Sequence, residues 1–129
     1  MHDIRNDSDI TLLVEAFYEK VQQDERLGYI FNDYAGVNWD THLPNMVDFW
    51  SKLLLQTSRY KGRPFRQHLP LPIKKEDFGR WYGLFKETVD EHFVGEKAEY
   101  AKEMAGKIAA SFVIRLEMEG KFEENTEVQ

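Results

Sequence analysis

Histidines at positions 2, 42, 68 and 92 have the widest chemical range of any residues in this sequence, because a neutral imidazole can bind a metal or exchange a proton. No two of them have the i, i+4 spacing of a zinc-protease helix, and none follows a glutamate by three residues as in di-iron bundles. The chain has no cysteine, which excludes zinc ribbons, thiol catalysis and disulfides. The glycines around Arg80 match neither a nucleotide fingerprint nor a phosphate-binding loop. A single imidazole acting with aromatic groups is the chemistry that remains.

His68 lies in the most unusual segment of the chain. Residues 56–74 contain Gly62, Pro64, Pro70 and Pro72 and form a connection of 19 residues between two predicted helices. Connections between packed helices are usually about 2–8 residues long. The prolines at 64 and 70 leave room for only about one helical turn. A short segment that presents a histidine towards aromatic helices favours a ligand site.

Three other polar groups have positions that suit the same site. His42 is three residues after Trp39 and four before Met46, so it shares their buried helix face. Tyr18 lies on the first predicted helix, where its hydroxyl reaches the margin of the core, and Trp81 offers one indole N–H on the third. Each of these alone is as readily a core residue. Together with the histidine of the long connection they form a set of one metal-binding imidazole and three opposing donors.

Apolar residues at a period of 3.6 predict four helices that would position these groups. The helices span about residues 9–24, 38–54, 75–93 and 96–120. Ser8 or Asp9 is the expected cap of the first, and Asn38 that of the second. Gly79 and Gly83 on the third predict the close approach of a neighbour, since glycine otherwise weakens a helix interior. Residues 27–31 are expected to form a short apolar turn.

Composition sets the class of protein. The 129 residues carry a net charge of −6 and predict one domain, with a core over about 9–120 and a flexible tail at 121–129. No uncharged run approaches the roughly 20 residues that span a membrane. The N-terminus lacks the features of a secretory signal, so a cytoplasmic protein is expected. The acidic pI near 5.2 disfavours nucleic acid as a partner.

Several blocks of sequence, in order, resemble the truncated haemoglobins, most closely those of group III. These blocks are Phe17-Tyr18-Glu19-Lys20-Val21, Leu27-Gly28-Tyr29-Ile30-Phe31, Trp39-Asp40-Thr41-His42, Asp48-Phe49-Trp50, Tyr60-Lys61-Gly62, His68-Leu69 and Phe78-Gly79-Arg80-Trp81-Tyr82-Gly83-Leu84-Phe85. The resemblance covers about residues 10–112. The absence of any Gly-Gly pair agrees with group III and departs from the first two groups.

The resemblance implies an all-α, globin-like, two-over-two helical sandwich that holds one haem b. His68 would be the proximal ligand of the haem iron, and its second ring nitrogen would donate to a backbone carbonyl. The long connection would be a reduced form of the proximal helix, packed by the haem itself. Tyr18, His42 and Trp81 would face the bound gas as donors, or, for His42, as a gate that is either open or closed.

Further residues are expected from the resemblance to contact the haem. They are Phe31, Met46, Phe49, Tyr60, Arg66 and Phe85. Arg59, Tyr60 and Arg66 flank the connection and would meet the haem propionates through charge-assisted hydrogen bonds.

The function implied is reversible binding of dioxygen and other diatomic ligands such as nitric oxide and carbon monoxide. A pocket with several donors holds oxygen tightly, which suits oxygen or nitric oxide chemistry better than oxygen transport. Nitric oxide dioxygenation and peroxidase-like activity are the candidate reactions, and either would need a separate reductase. Two alternatives stay open: a gas sensor that acts through a partner protein, and a haem-free helical interaction module.

Overall fold

The computed structural model describes residues 1–61 and 71–120, and the prediction of an all-α fold is confirmed. Its elements are α1 (Asp7–Gln23), α2 (Glu25–Gly28), a π-helical turn (Tyr29–Tyr34), α3 (Trp39–Leu55), α4 (Lys75–His92) and α5 (Glu96–Met118). The described residues contain no strand beyond an isolated bridge between His2 and Phe93. The predicted tail, 121–129, lies outside the described residues.

The helix caps agree with the sequence for α3 but not for α1. Asn38 caps α3, and its side chain accepts a hydrogen bond from the Asp40 amide at 3.0 Å, as predicted. The cap of α1 is Asn6, so the prediction of Ser8 or Asp9 is wrong. Asn6 has an extended backbone, and its side chain accepts from the Asp9 amide at 3.0 Å. The two residues proposed as caps instead lie in the first turn, where an acidic side chain suits the helix dipole.

Two helix pairs form the layers of the fold. α4 packs along α5 and α1 along α3, and α1 also crosses α4, which brings the pairs face to face. Trp50, Phe17 and Phe85 are the largest fully buried side chains between them. The rings of Trp50 and Phe85 stack with their centroids 4.7 Å apart. This arrangement is the expected two-over-two sandwich.

The segment before α1 is fastened to the start of α5. The Asp3 carboxylate accepts from the amides of Lys97 and Ala98, each at 2.9 Å, and so caps α5. Ile4 is fully buried beside it. Gly95, at φ 139°, lets the carboxylate approach, because a Cβ there would lie 2.4 Å from the Asp3 Cγ. Partial burial opposes ionisation of Asp3, yet the backbone N–H donors outweigh it and lower its pKa.

The close approach predicted at Gly79 and Gly83 is not found among the described residues. Among the described atoms, nothing lies within 4 Å of a Cβ built at either position. The close helix contact is at Gly106 of α5, where a Cβ would lie 3.1 Å from the Tyr82 ring. The ring of this half-exposed α4 residue therefore fits against the α5 backbone where a side chain is missing.

Candidate functional site

A cavity of about 260 Å³ lies between the two helix pairs. Its lining is mainly apolar and aromatic and comprises Tyr18, Leu27, Ile30, Phe31, His42, Met46, Phe49, Trp50, Tyr60, Leu71, Ile73, Asp77, Phe78, Trp81, Ile108, Ala109 and Phe112. Every long helix contributes to this wall. Its side chains that carry a polar atom come from three helices and the segment after α3, and they are Tyr18, His42, Tyr60, Asp77 and Trp81.

Tyr18 and Trp81 meet at the wall of the cavity. Tyr18 is 4% exposed, and burial raises the pKa of its phenol well above the ordinary value. The Trp81 side chain shares a hydrogen bond with this hydroxyl. Indole has a donor and no acceptor, so Trp81 donates and the Tyr18 oxygen accepts. This hydrogen bond by itself lowers the pKa of Tyr18, but burial outweighs it, so Tyr18 stays protonated and its own O–H can donate into the cavity.

His42 lies against Tyr18 on the α3 side of the cavity. The two rings are 5.1 Å apart between centroids and nearly perpendicular. The Trp39 ring also contacts the imidazole edge to face, at 5.4 Å, and lies 5.6 Å from the Tyr18 ring, so the three rings form a cluster in which the Nε2 atom of His42 is buried. Both aromatic contacts fix the imidazole at the boundary between the cavity and solvent.

The remaining apolar residues proposed for the site lie at different depths. Phe31, from the π-helical turn, lines the cavity together with Met46 and Phe49 of α3. Phe85 is not among the lining residues, and its fully buried ring stacks on the rings of Trp50 and Trp81. The structure therefore does not place Phe85 where it could contact a ligand in the cavity. Phe85 instead supports the ring of Trp81, which stacks on it at 5.9 Å.

A second, polar recess adjoins the cavity, and we refer to it as the vestibule. It has a volume of about 410 Å³ and is lined by His42, Asn45, Met46, Asp48, Arg59, Tyr60 and Lys61. His42, Met46 and Tyr60 line both spaces. The Tyr60 ring is held by an edge-to-face contact with Phe49 at 5.2 Å. These shared residues mark where the apolar cavity meets charged and polar groups.

Arg59 is committed to contacts within the fold. Its Nε donates to Asp48 at 2.9 Å, and its Nη2 contacts the Asp7 carboxylate at 3.2 Å and the Ser51 hydroxyl at 3.0 Å. These carboxylates, Asp48 first, raise the pKa of the guanidinium. The arginine thus joins α1 to α3 more than it offers itself to a ligand. Lys61 is the other cationic residue of the vestibule wall among those described.

Two residues central to the sequence argument, His68 and Arg66, lie outside the described residues. The sequence analysis also missed lining residues, of which Asp77 is the most informative because it is an acid that is 7% exposed. Asp77 precedes Trp81 by four residues, which puts both on one face of α4, and this spacing could have indicated that Asp77 lies at the same site. On α5, Ile108 and Phe112 also line the cavity, and they were not predicted as site residues.

The described residues contain neither a group of metal ligands nor a membrane-spanning helix. Across 1–61 and 71–120, no three histidine, aspartate or glutamate side chains come together as metal ligands. No helix in those same ranges has both the length and the apolar character to cross a membrane.

Comparisons with known proteins agree with this geometry. The family model for bacterial-like globins matches residues 2–112. The group 3 truncated hemoglobin ctb of Campylobacter jejuni is 36% identical over 111 residues, which are 83% of this chain and 87% of that protein. The crystal structure of a group III truncated hemoglobin from Campylobacter jejuni matches with a TM-score of 0.79 and 35% identity. That match covers 87% of this chain and 92% of the solved chain. The chain therefore belongs to the bacterial-like globin family, and its resemblance to group III truncated haemoglobins, predicted from the sequence, is confirmed.

Proposed function

We propose that this chain binds haem b in the cavity, with His68 as the axial ligand, and that it binds diatomic gases on the side of Tyr18. The observation that carries the proposal is the buried Tyr18 hydroxyl, which accepts from Trp81 at the wall of a mainly apolar cavity. Membership of the globin family supports haem binding in general. The gas ligands, the haem type and the axial residue are proposed here.

The described walls fit a haem in shape and polarity. Aromatic and aliphatic side chains from both helix pairs suit the flat, apolar macrocycle. The haem carboxylates suit the vestibule, where Lys61 and the Tyr60 hydroxyl can receive them, with Arg66 as a further proposed partner. Arg59 is a weaker candidate, because two carboxylates already hold it.

Haem supplies an iron centre that binds dioxygen, nitric oxide or carbon monoxide when reduced. The chain supplies the surroundings. With haem bound, the neutral Tyr18 hydroxyl would be placed to donate a hydrogen bond to the gas ligand, and the mainly apolar cavity would make that hydrogen bond stronger than in water. His42 lies where cavity and vestibule meet, which suits either a further donor or a gate. Phe31, Met46 and Phe49 exclude water.

A cavity built to hold oxygen tightly favours chemistry over transport. We therefore infer that the chain turns over nitric oxide or peroxide, with electrons from a separate reductase in the cytoplasm. A gas sensor that acts through a partner protein would use the same site without turnover. A haem-free interaction module would not use it at all.

Absorption spectra of the purified chain, ferric, reduced and then exposed to oxygen or carbon monoxide, test the proposal. A Soret band that responds to each gas is expected. His68→Ala should lose haem or its five-coordinate ferrous spectrum, whereas His92→Ala, at the far end of α4, should not. A wild-type chain that stays colourless with haemin present contradicts the proposal. Unchanged ferrous spectra in His68→Ala remove the axial assignment alone.

Turnover separates the remaining functions. Oxygenated protein mixed with nitric oxide should be oxidised with stoichiometric formation of nitrate, and repeated cycles should need only a reductant. A stable oxygen complex that consumes no nitric oxide or peroxide would favour the sensor.

A further inference from the structure

An ion pair between α2 and α4 forms part of the cavity wall. The Nε of Arg26 lies 3.2 Å and 3.1 Å from the two oxygens of the Asp77 carboxylate. The Nη2 of the same guanidinium donates to the carbonyl of Pro72. Asp77 in turn accepts from the Lys74 amide at 2.8 Å. One arginine and one aspartate thus hold the backbone at two points just before α4.

The backbone they hold is itself a wall of the cavity. Leu71 and Ile73 line it, as does the Asp77 side chain. A turn in which the Ile73 amide donates to the Leu71 carbonyl at 2.8 Å links these two residues. Whatever fixes residues 71–74 therefore fixes one face of the space in which the proposed ligand lies.

The ion pair of Arg26 and Asp77 is better placed to position the cavity wall than to stabilise the fold. Asp77 is buried, but it lies in the first turn of α4, where the helix dipole favours an acid, and it keeps the Lys74 amide as a donor. Removal of the Arg26 side chain would therefore leave the carboxylate partly compensated. The Pro72 carbonyl would lose the donor that ties it to α2. The expected consequence is a cavity wall that moves while the helices stay in place.

We propose that Arg26 and Asp77 are positioning residues that hold residues 71–74 against α2 and so set how firmly the cavity grips its haem. This inference rests on the proposed haem binding. Neither residue needs to touch the haem iron or its gas ligand. Arg26 is suited to this role because its planar fork can engage a carboxylate and a carbonyl at once, which lysine cannot do as well.

The test compares Arg26→Gln with Arg26→Lys and with a control, Lys20→Gln. Lys20 also bridges helices, from α1 to Glu91 of α4 at 2.9 Å, but it does not line the cavity. Hydrogen exchange of the Ile73 and Lys74 amides, before haemin is added, should be faster in Arg26→Gln and unchanged in the control. Because this measurement needs no haem, it reports on the wall by itself.

The haem-loaded chains supply the second readout. Transfer of haem to an acceptor globin should be faster in Arg26→Gln, by about 10-fold or more if the loss is on the scale that removal of a supporting contact costs in metal affinity. The stretching frequency of the bond between ferrous iron and its axial ligand should shift in Arg26→Gln. Arg26→Lys should give a frequency between those of wild type and Arg26→Gln. A purely structural ion pair would lower the denaturation midpoint without moving that frequency.

Two outcomes would overturn the inference while haem binding stands. One is unchanged exchange at Ile73 and Lys74 in Arg26→Gln. The other is faster exchange with wild-type haem transfer and stretching frequency, which would make the pair a local brace only. A wild-type chain that takes up no haemin fails differently: it contradicts the proposed function, and this inference falls with it.

Discussion

Trp81 donates its indole N–H to the hydroxyl oxygen of Tyr18. From the sequence, both residues, together with His42, were expected as separate donors to a bound gas. In the structure Trp81 is instead a hydrogen-bond donor to Tyr18, so it orients the Tyr18 hydroxyl and leaves the Tyr18 proton for the ligand that we propose. The two residues should therefore act as a unit.

Replacement of Tyr18 by phenylalanine removes the hydroxyl and keeps the ring. We expect oxygen to dissociate about five- to a hundred-fold faster, because a hydrogen bond worth roughly 1–3 kcal/mol is lost. Stopped-flow displacement of oxygen by carbon monoxide measures this rate. Tyr29→Phe is the matched control, since Tyr29 is 43% exposed and does not line the cavity. An oxygen dissociation rate equal to that of the control would remove Tyr18 from the site.

Trp81→Phe should have a smaller or mixed effect on oxygen dissociation, because the indole both packs and donates. Its ring contacts Phe17 at 5.6 Å and stacks on Phe85. In a double-mutant cycle with Tyr18→Phe, the two effects should not add, as expected for residues in one hydrogen-bond network. Additive effects on the free energy of activation would show that Trp81 acts on the ligand independently of Tyr18.

The raised pKa of Tyr18 predicts a distinct dependence on pH. Burial disfavours the phenolate, so the hydroxyl stays a donor and oxygen dissociation should not change with Tyr18 ionisation below about pH 10. Above that pH the unfolded chain releases this proton and the folded chain keeps it, so the folded state loses stability. The unfolding free energy of wild type should fall more steeply above about pH 10 than that of Tyr18→Phe. Denaturant titrations at several pH values measure the difference. Parallel curves would contradict the assignment.

Gly79→Ala should stabilise the fold. Nothing described lies within 4 Å of the new methyl group, and alanine is better than glycine in a helix interior by up to about 1 kcal/mol. Gly106→Ala is the comparison, since its methyl group would press on the Tyr82 ring and offset that gain. Urea denaturation of both variants gives the two free energies. A Gly79→Ala chain no more stable than wild type would show a close contact there after all.

Sequence periodicity predicted where the helices lie, but it did not predict which residues make the contacts between helices or cap their ends. The stripes that include Phe17 and Phe112 located α1 and α5 because each helix buries one continuous face. Gly79 and Gly106 could not be told apart, since which glycine meets a neighbour depends on how two helices cross. The cap at Asn6 was missed for a local reason: three successive residues beyond it are also good caps or first-turn residues.

The residues of the candidate site were likewise predicted only in part. Residue type and helix position, and then the family resemblance, selected Tyr18, His42 and Trp81, all of which line one cavity. The resemblance could not show that Phe85 lies one layer behind, because buried phenylalanines have the same pattern whether or not they face a cavity. The pair of Arg26 and Asp77 is separated by 51 positions, and no local pattern connects them.

The contact between Asp3 and the amide of Lys97 joins positions 94 apart. A chain emerges from the ribosome from its N-terminus, so Asp3 is synthesised long before its partner. The first residues must therefore wait until α5 has left the exit tunnel, and their docking is a late step in folding. Closure of so long a loop also makes this contact one of high sequence separation, the type that slows folding. A nascent globin of this kind would carry Ile4 exposed for most of its synthesis and would seal its core only at the end.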